Sequence, residues 1–337
     1  MPRALLLVLA SCNPVAPPDR PAEFSWAMTR NAVPMLYHVA ASNPERSSVG
    51  IVEAERLRAG VYVHAERRFV PLGPWVSGAT SALIDPERKR ALVLKLRIED
   101  CRADFCPHVR SLGIASHDLS AKLRPVEAEQ RIEGPFHGVQ AQPTADGVRL
   151  LIRDCQYPGC SSGWLRFAGD APAFDVDQHR RPGLFLDVRY RGTLLSYLEP
   201  GYAINGDELE RPMGPPIRLS KRHAEAEYHS VLVDRTRKLA LVVSVRDACD
   251  CEHGEQAILN HTVSRVELSA GIAEPVLHGN GAATALLDAG GGVYLQRFGS
   301  VQHWQSIAEI GKARGDPLRA ELLLSAPRLE ERNCCGL

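Results

Sequence analysis

Arg90-Ala-Leu-Val-Leu-Lys-Leu-Arg-Ile-Glu-Asp-Cys101 returns as Val148-Arg-Leu-Leu-Ile-Arg-Asp-Cys155 and again as Lys238-Leu-Ala-Leu-Val-Val-Ser-Val-Arg-Asp-Ala-Cys249. A phrase that recurs at long, similar intervals marks a repeat architecture, in which each copy is one supersecondary unit. Ahead of the phrase stands a short apolar segment closed by aspartate: Ala82-Leu-Ile-Asp85, Ala141-Gln-Pro-Thr-Ala-Asp146, Leu184-Phe-Leu-Asp187, Val231-Leu-Val-Asp234 and Ala285-Leu-Leu-Asp288. These aspartates are about fifty residues apart, which is the period of the repeat.

Within a copy the pattern is that of strands. Leu239, Leu241, Val243 and Val245 form one face, and Ala240, Val242, Ser244 and Arg246 the other, the two-residue period of a half-buried strand. A third strand is expected in His108–Ala115, in His261–Leu268 and in His303–Ile310, and a weaker fourth in Leu123–Glu127 and Glu274–Leu277. Trp304–Lys312 is helical by composition, but its match to the third strand of other copies favours strand. Met35–Ala41, Val49–Glu53 and Gly60–Val70 supply a first copy. Four short strands per unit describe a propeller blade, so the chain reads as all-β, a β-propeller of about six four-stranded blades filling 22–337.

Composition fits that reading and narrows the partners. The 337 residues include 27 Gly and 24 Pro, spread along the chain as many short turns require. Forty basic residues balance forty acidic ones, for a formal charge of zero, so there is no broad positive field for nucleic acid or for an anionic membrane surface. No internal window approaches the roughly 18 apolar residues of a membrane helix.

Nine cysteines carry more information. Cys101 with Cys106, and Cys155 with Cys160, sit at matching places in successive copies; Cys249 and Cys251 are close, and Cys334 and Cys335 adjacent. Their first reading is as disulfides stapling equivalent loops, which needs an oxidising compartment. A Cys-x-Cys bridge is strained, so Cys249 or Cys251 could instead pair with Cys334 or Cys335. A competing reading makes Cys249, Cys251, His253 and His261 ligands of zinc or copper.

The first residues also read in two ways. Leu9-Ala-Ser-Cys12 follows a basic start and a short apolar run, and resembles the bacterial lipoprotein signal box. That resemblance implies that Cys12 is lipidated and that 1–21 is signal and tether, which would make the protein extracytoplasmic, periplasmic or anchored at the outer membrane. The same stretch matches Arg90-Ala-Leu-Val-Leu-Lys-Leu, so it also reads as a first blade strand.

Gln142-Pro-Thr-Ala-Asp-Gly-Val-Arg-Leu-Leu-Ile152 resembles the Pro-x-x-Ser-x-Asp-Gly-x-x-Leu repeat of TolB-type β-propellers. The match is good in one copy and loose in four, where the Asp and the apolar strand remain without the Pro and Gly. It implies architecture and carries no catalytic residue across.

Two sets of side chains could gather on one propeller face. His137, His179, His223 and His278 each stand about ten residues ahead of a repeat aspartate, where a ring of imidazoles could hold a divalent metal or move protons near neutral pH. The plainer alternative is unrelated loop histidines; no His-x-x-x-His pair exists, and His229 competes with His223. Arg97, Arg153 and Arg246 close the second strand of three copies, where they could converge on an anion or simply pair with the neighbouring Asp100, Asp154 and Asp247. Gly290-Gly-Gly292 lacks the Lys-Ser/Thr of a phosphate loop and reads as a turn. No nucleophile elbow is present. The expected function is therefore an exported binding or scaffold protein for a protein or carbohydrate ligand, with no required cofactor. The alternative is a metal-dependent carbohydrate-active lyase or hydrolase built on the four histidines.

Overall fold

The computed structural model describes residues 32–39, 45–47, 50–52, 56–76, 79–85, 90–99, 108–118, 130–136, 138–144, 147–156, 159–166, 173–176, 183–187, 194–248, 258–297 and 299–324. Within them the chain is almost entirely β. The helical turns are one α segment, Lys221–Ala224, and the 3-10 turns His64–Glu66 and Ile307–Glu309. No helix there is long and apolar enough to cross a membrane.

Antiparallel meanders dominate. Ala79–Asp85, Arg90–Glu99, His108–Asp118 and Gln130–Phe136 form one four-stranded sheet in chain order. Ala283–Leu287, Val293–Arg297, Ser300–Trp304 and Asp316–Pro317 form another. The first sheet unites both ends of the described chain: Leu322–Leu323 lies beside Ala32–Val39, followed by Arg56–Val63 and Arg68–Val76. Its register sets Leu36 opposite Leu323 and Tyr37 opposite Leu322. Leu322, Leu323 and Leu324 are all buried.

The middle of the chain departs from separate four-stranded units. Ten strands make one continuous sheet, because Gly138–Thr144 and Gly183–Asp187 pair with each other through four register positions instead of ending as free edges. An unpaired edge leaves a row of N–H and C=O groups, and this pairing satisfies them. Leu194–Leu198 then meets Tyr228–Asp234 in parallel at a single pair, Leu198 with Val231, so the sheet is two meanders joined at one point.

The strand Leu239–Ala248 departs from expectation in burial. Leu241 and Val243 pack against Val293, Leu295 and Trp304 of the last sheet, while Ala240 and Val242 pack against Leu209, Ile217 and Leu219. The second group belongs to an insertion whose strands Ala203–Asn205, Glu208–Glu210 and Ile217–Arg218 form a small sheet. That insertion covers the face that alternation alone would leave in water, so the strand is buried on both sides.

Other boundaries shift by local chemistry. Gly60–Val70 is two strands, broken by the turn His64–Glu66 with Arg67 in the left-handed region at φ 48°. Ser300–Trp304 is the third strand of its sheet, but 305–312 leaves it and buries Ile307 and Ile310 through a 3-10 turn. The fourth strand of the second sheet is Gln130–Phe136; Leu123–Glu127 lies outside the described residues.

Candidate functional site: a pocket at the strand ends

Strands from several sheets end around one cavity of about 510 Å³. Ala32 and Pro34 of the first sheet and Ala82 of the second contribute apolar wall, joined by Leu232, Val233, Leu286 and Leu287. The polar side comes from residues just past the strand ends: Glu199, Asp234 to Arg237, and Asp288 to Gly291. The volume and the mixture of apolar wall with few polar groups suit a small ligand or a short piece of a larger one.

The repeat aspartates explain the local geometry. Asp234 Oδ1 accepts the backbone N–H of Arg237 at 3.0 Å, and its Oδ2 accepts Arg237 Nη1 at 2.6 Å. Asp288 Oδ1 accepts the N–H groups of Gly290 at 2.9 Å and Gly292 at 2.8 Å. An aspartate at the end of a strand thus closes the turn by taking N–H groups that have left the ladder. Glycine follows because space runs out: a Cβ on Gly292 would stand 2.6 Å from Asp288 Oδ2 and 2.8 Å from His303 Nε2.

Charge in the pocket is mostly paired off. Arg235 Nη2 lies 2.7 Å from Glu199 Oε1, and Tyr197 donates its hydroxyl to Glu199 Oε2 at 3.2 Å. Burial, then the adjacent Glu199, raises the Tyr197 pKa, so this phenol stays protonated. Asp288 differs, being held by backbone N–H groups without a basic partner in hydrogen-bond contact among the described residues. Burial raises its pKa, and the bonds from Gly292 and Gly290 work against that rise.

Behind Asp288 lies a packed aromatic cluster between the last sheet and the first. The rings of His64 and His303 stack with centroids 3.8 Å apart, and Tyr294 contacts both. Burial, followed by the neighbouring His64, pushes His303 down to about 4, and burial likewise lowers His64. Both imidazoles are therefore neutral at pH 7, as two rings in such contact require.

Of the two sets of side chains singled out by sequence, His223, His278 and Arg246 are described. His223 sits in the turn Lys221–Ala224, fully buried, with Nδ1 at 2.6 Å from Ser244 Oγ and Nε2 at 2.8 Å from Ser264 Oγ. Ser244 Oγ also meets His229 Nδ1 at 2.8 Å. Both ring nitrogens of His223 are thus occupied by the protein, which corrects its placement at an open channel mouth. His278 is corrected too: it lies within the strand Ile272–Asn280, not in a loop before one, and its Nδ1 donates to the His261 carbonyl at 2.9 Å. His137 and His179 lie outside the described residues.

Arg246 pairs with Glu225 at 2.6 Å on an exposed surface. Such a pair contributes about 0 to 1 kcal/mol. Arg97 and Arg153 lie on strands, with side chains outside those described. Cys155 and Cys160 are directly opposed across adjacent strands, a backbone separation that a disulfide can span. Cys12, Cys101, Cys106, Cys249, Cys251, Cys334 and Cys335 lie outside the described residues, as does His253. Among the described residues no three His, Cys, Asp or Glu side chains form a group that could hold a metal ion.

Tyr197, Glu199, Arg235 and Arg237 were not singled out in the sequence. Their one signal was position, since each stands within a few residues of a strand end, two of them in the turn that follows the repeat aspartate Asp234. No protein-family profile matches the chain, and no curated protein matches it. Among solved structures, the crystal structure of TolB from Acinetobacter baumannii is similar at 10% identity and a TM-score of 0.43, over 89% of this chain and 67% of that one.

Proposed function

We propose that this chain is an exported β-propeller of about six blades that acts as a binding or scaffold module, taking a segment of a protein or carbohydrate ligand into the pocket at its strand ends. The observation that carries the reading is convergence. Segments far apart in sequence, from Ala32 to Gly291, line one cavity. Asp288 offers that cavity a carboxyl group with no arginine on it among the described residues, suited to a ligand hydroxyl or amide N–H. Of the turn residues beside it, Ala289 and Gly290 are exposed, while Gly291 and Gly292 have no room for a side chain. On the proposed reading the protein is extracytoplasmic, held at a membrane through lipid on Cys12.

Two measurements test the two parts. Thermal shift of the full chain against short peptides and oligosaccharides should find a class that raises the melting temperature. Ala289→Trp, which places an indole at the pocket from an exposed position, should abolish that rise while leaving the unliganded melting temperature within about 2 °C. A rise that survives Ala289→Trp puts binding elsewhere, and no rise with either class removes the binding reading. For export, mass spectrometry of the native protein should find a mature start at a diacylated Cys12. An intact Met1 would sink that part alone.

A further inference from the structure

A second cavity, of about 330 Å³, lies away from the strand-end pocket, between the edge strand Ile272–Asn280 and the last sheet. Its cationic lining is Arg297, Lys312 and Arg314, with Gln302 beside them, and among the described residues no aspartate or glutamate lines it. Glu309 and Asp316 flank the loop in sequence without reaching the cavity. We propose that this cavity is a binding site for a tetrahedral oxyanion, sulfate or phosphate, free or carried as an ester on a larger ligand.

Unspent charge is the first argument. Arg218, Arg235, Arg237, Arg246, Arg265 and Arg319 each rest on a carboxylate. Lys312 and Arg314 make no ion pair among the described residues, although both stand at the same cavity. Arg297 Nη2 reaches Gln302 Oε1 at 3.4 Å, and burial pulls this guanidinium below its usual range. A bound dianion would reverse that cost, because an opposite charge favours the protonated form.

Rigidity is the second. Trp304 Nε1 donates to the Ala313 carbonyl at 3.0 Å, and Arg265 Nη1 donates to the carbonyls of Ala308 at 3.0 Å and Ile310 at 3.3 Å. Lys312 and Ala313 both direct their N–H groups to the Glu309 carbonyl at 3.0 Å. Gly315 presses so closely on the Trp304 ring that a Cβ there would stand 2.7 Å from it. The loop backbone that carries Lys312 and Arg314 at the cavity is therefore fixed before any ligand arrives, which lowers the ordering cost of binding. Three cations over a small cavity match a doubly charged tetrahedral group better than a single carboxylate.

Isothermal titration of the full chain at fixed ionic strength tests this with sodium sulfate, inorganic phosphate and a phosphomonoester, against chloride and acetate. Sulfate and phosphate should bind saturably, and Lys312→Ala with Arg314→Ala should weaken them at least tenfold. Lys312→Arg should keep the affinity within about threefold, and Ala289→Trp at the other pocket should leave it unchanged. A phosphomonoester tighter than free phosphate identifies an esterified ligand, and the reverse order a free ion; either supports the site. Chloride or acetate binding as tightly as sulfate, or a double variant with unchanged affinity, overturns it. Both substituted side chains are exposed, so loss of folding does not confuse the result.

Discussion

A chain ended after Leu318 is expected to lose its cooperative unfolding transition. Removing 319–337 takes away Leu322, Leu323 and Leu324, which are between 1% and 3% exposed. Three buried leucines contribute about 5 to 9 kcal/mol together, on the order of the whole stability of a domain. Their loss also strips an edge of Ala32–Val39, undoes the bond from His38 N–H to the Glu321 carbonyl at 2.7 Å, and frees the Tyr37 hydroxyl from Arg319. Leu323→Asp should do nearly as much by burying a charge. Near-ultraviolet circular dichroism and a thermal melt read the outcome. A truncated protein melting within a few degrees of the full chain would show that the strand is dispensable.

His223→Ala should cost about 2 to 4 kcal/mol, because it opens a cavity and strands the Ser264 hydroxyl in a buried site. It should also flatten the acid limb of stability. Burial, with a smaller contribution from His229, pushes His223 down to about 4 from an ordinary 6.5. Between those two values the unfolded chain binds the proton and the folded chain does not. The stabilisation is therefore complete above pH 6.5 and is lost as the pH falls towards 4, by roughly 3 kcal/mol for this group. His303 acts in the same window and in the same direction. Urea titrations at pH 7 and pH 4.5 should show the variant losing less on acidification than the natural protein. An equal loss in both would mean that His223 is not held neutral.

Strands were legible because alternation is local. The recurring phrase locates Arg90–Glu99, Gly147–Gln156 and Leu239–Ala248, and the aspartates locate the strands before them. Partnership was not legible. Nothing in Gly138–Thr144 or Gly183–Asp187 announces that they pair with each other, since a backbone ladder accepts any strand of the right direction and register. Burial of Ala240 and Val242 depended on Leu209 and Ile217, residues in an insertion that follows no repeat pattern.

The site was legible only in part. Asp234 and Asp288 were visible as punctuation, and punctuation is their local role, but the pocket they border arises where distant strand ends meet. His223 drew attention for its spacing, whereas its surroundings are two serines on neighbouring strands, and neither serine is distinctive in sequence.

The pairing of Ala32–Val39 with Leu322–Leu323 also fixes an order of events in time. Tyr37 and Arg319, which touch across this junction, are 282 residues apart in the chain. Closing so long a loop is slow relative to forming the meanders, whose contacts are local. The residues of Ala32–Val39 leave the ribosome well before Leu322–Leu323 and are thus among the last of the described residues to acquire all their partners. Through synthesis they carry an apolar edge that other chains could occupy, which makes delayed folding, or a holding chaperone, an advantage for this sequence.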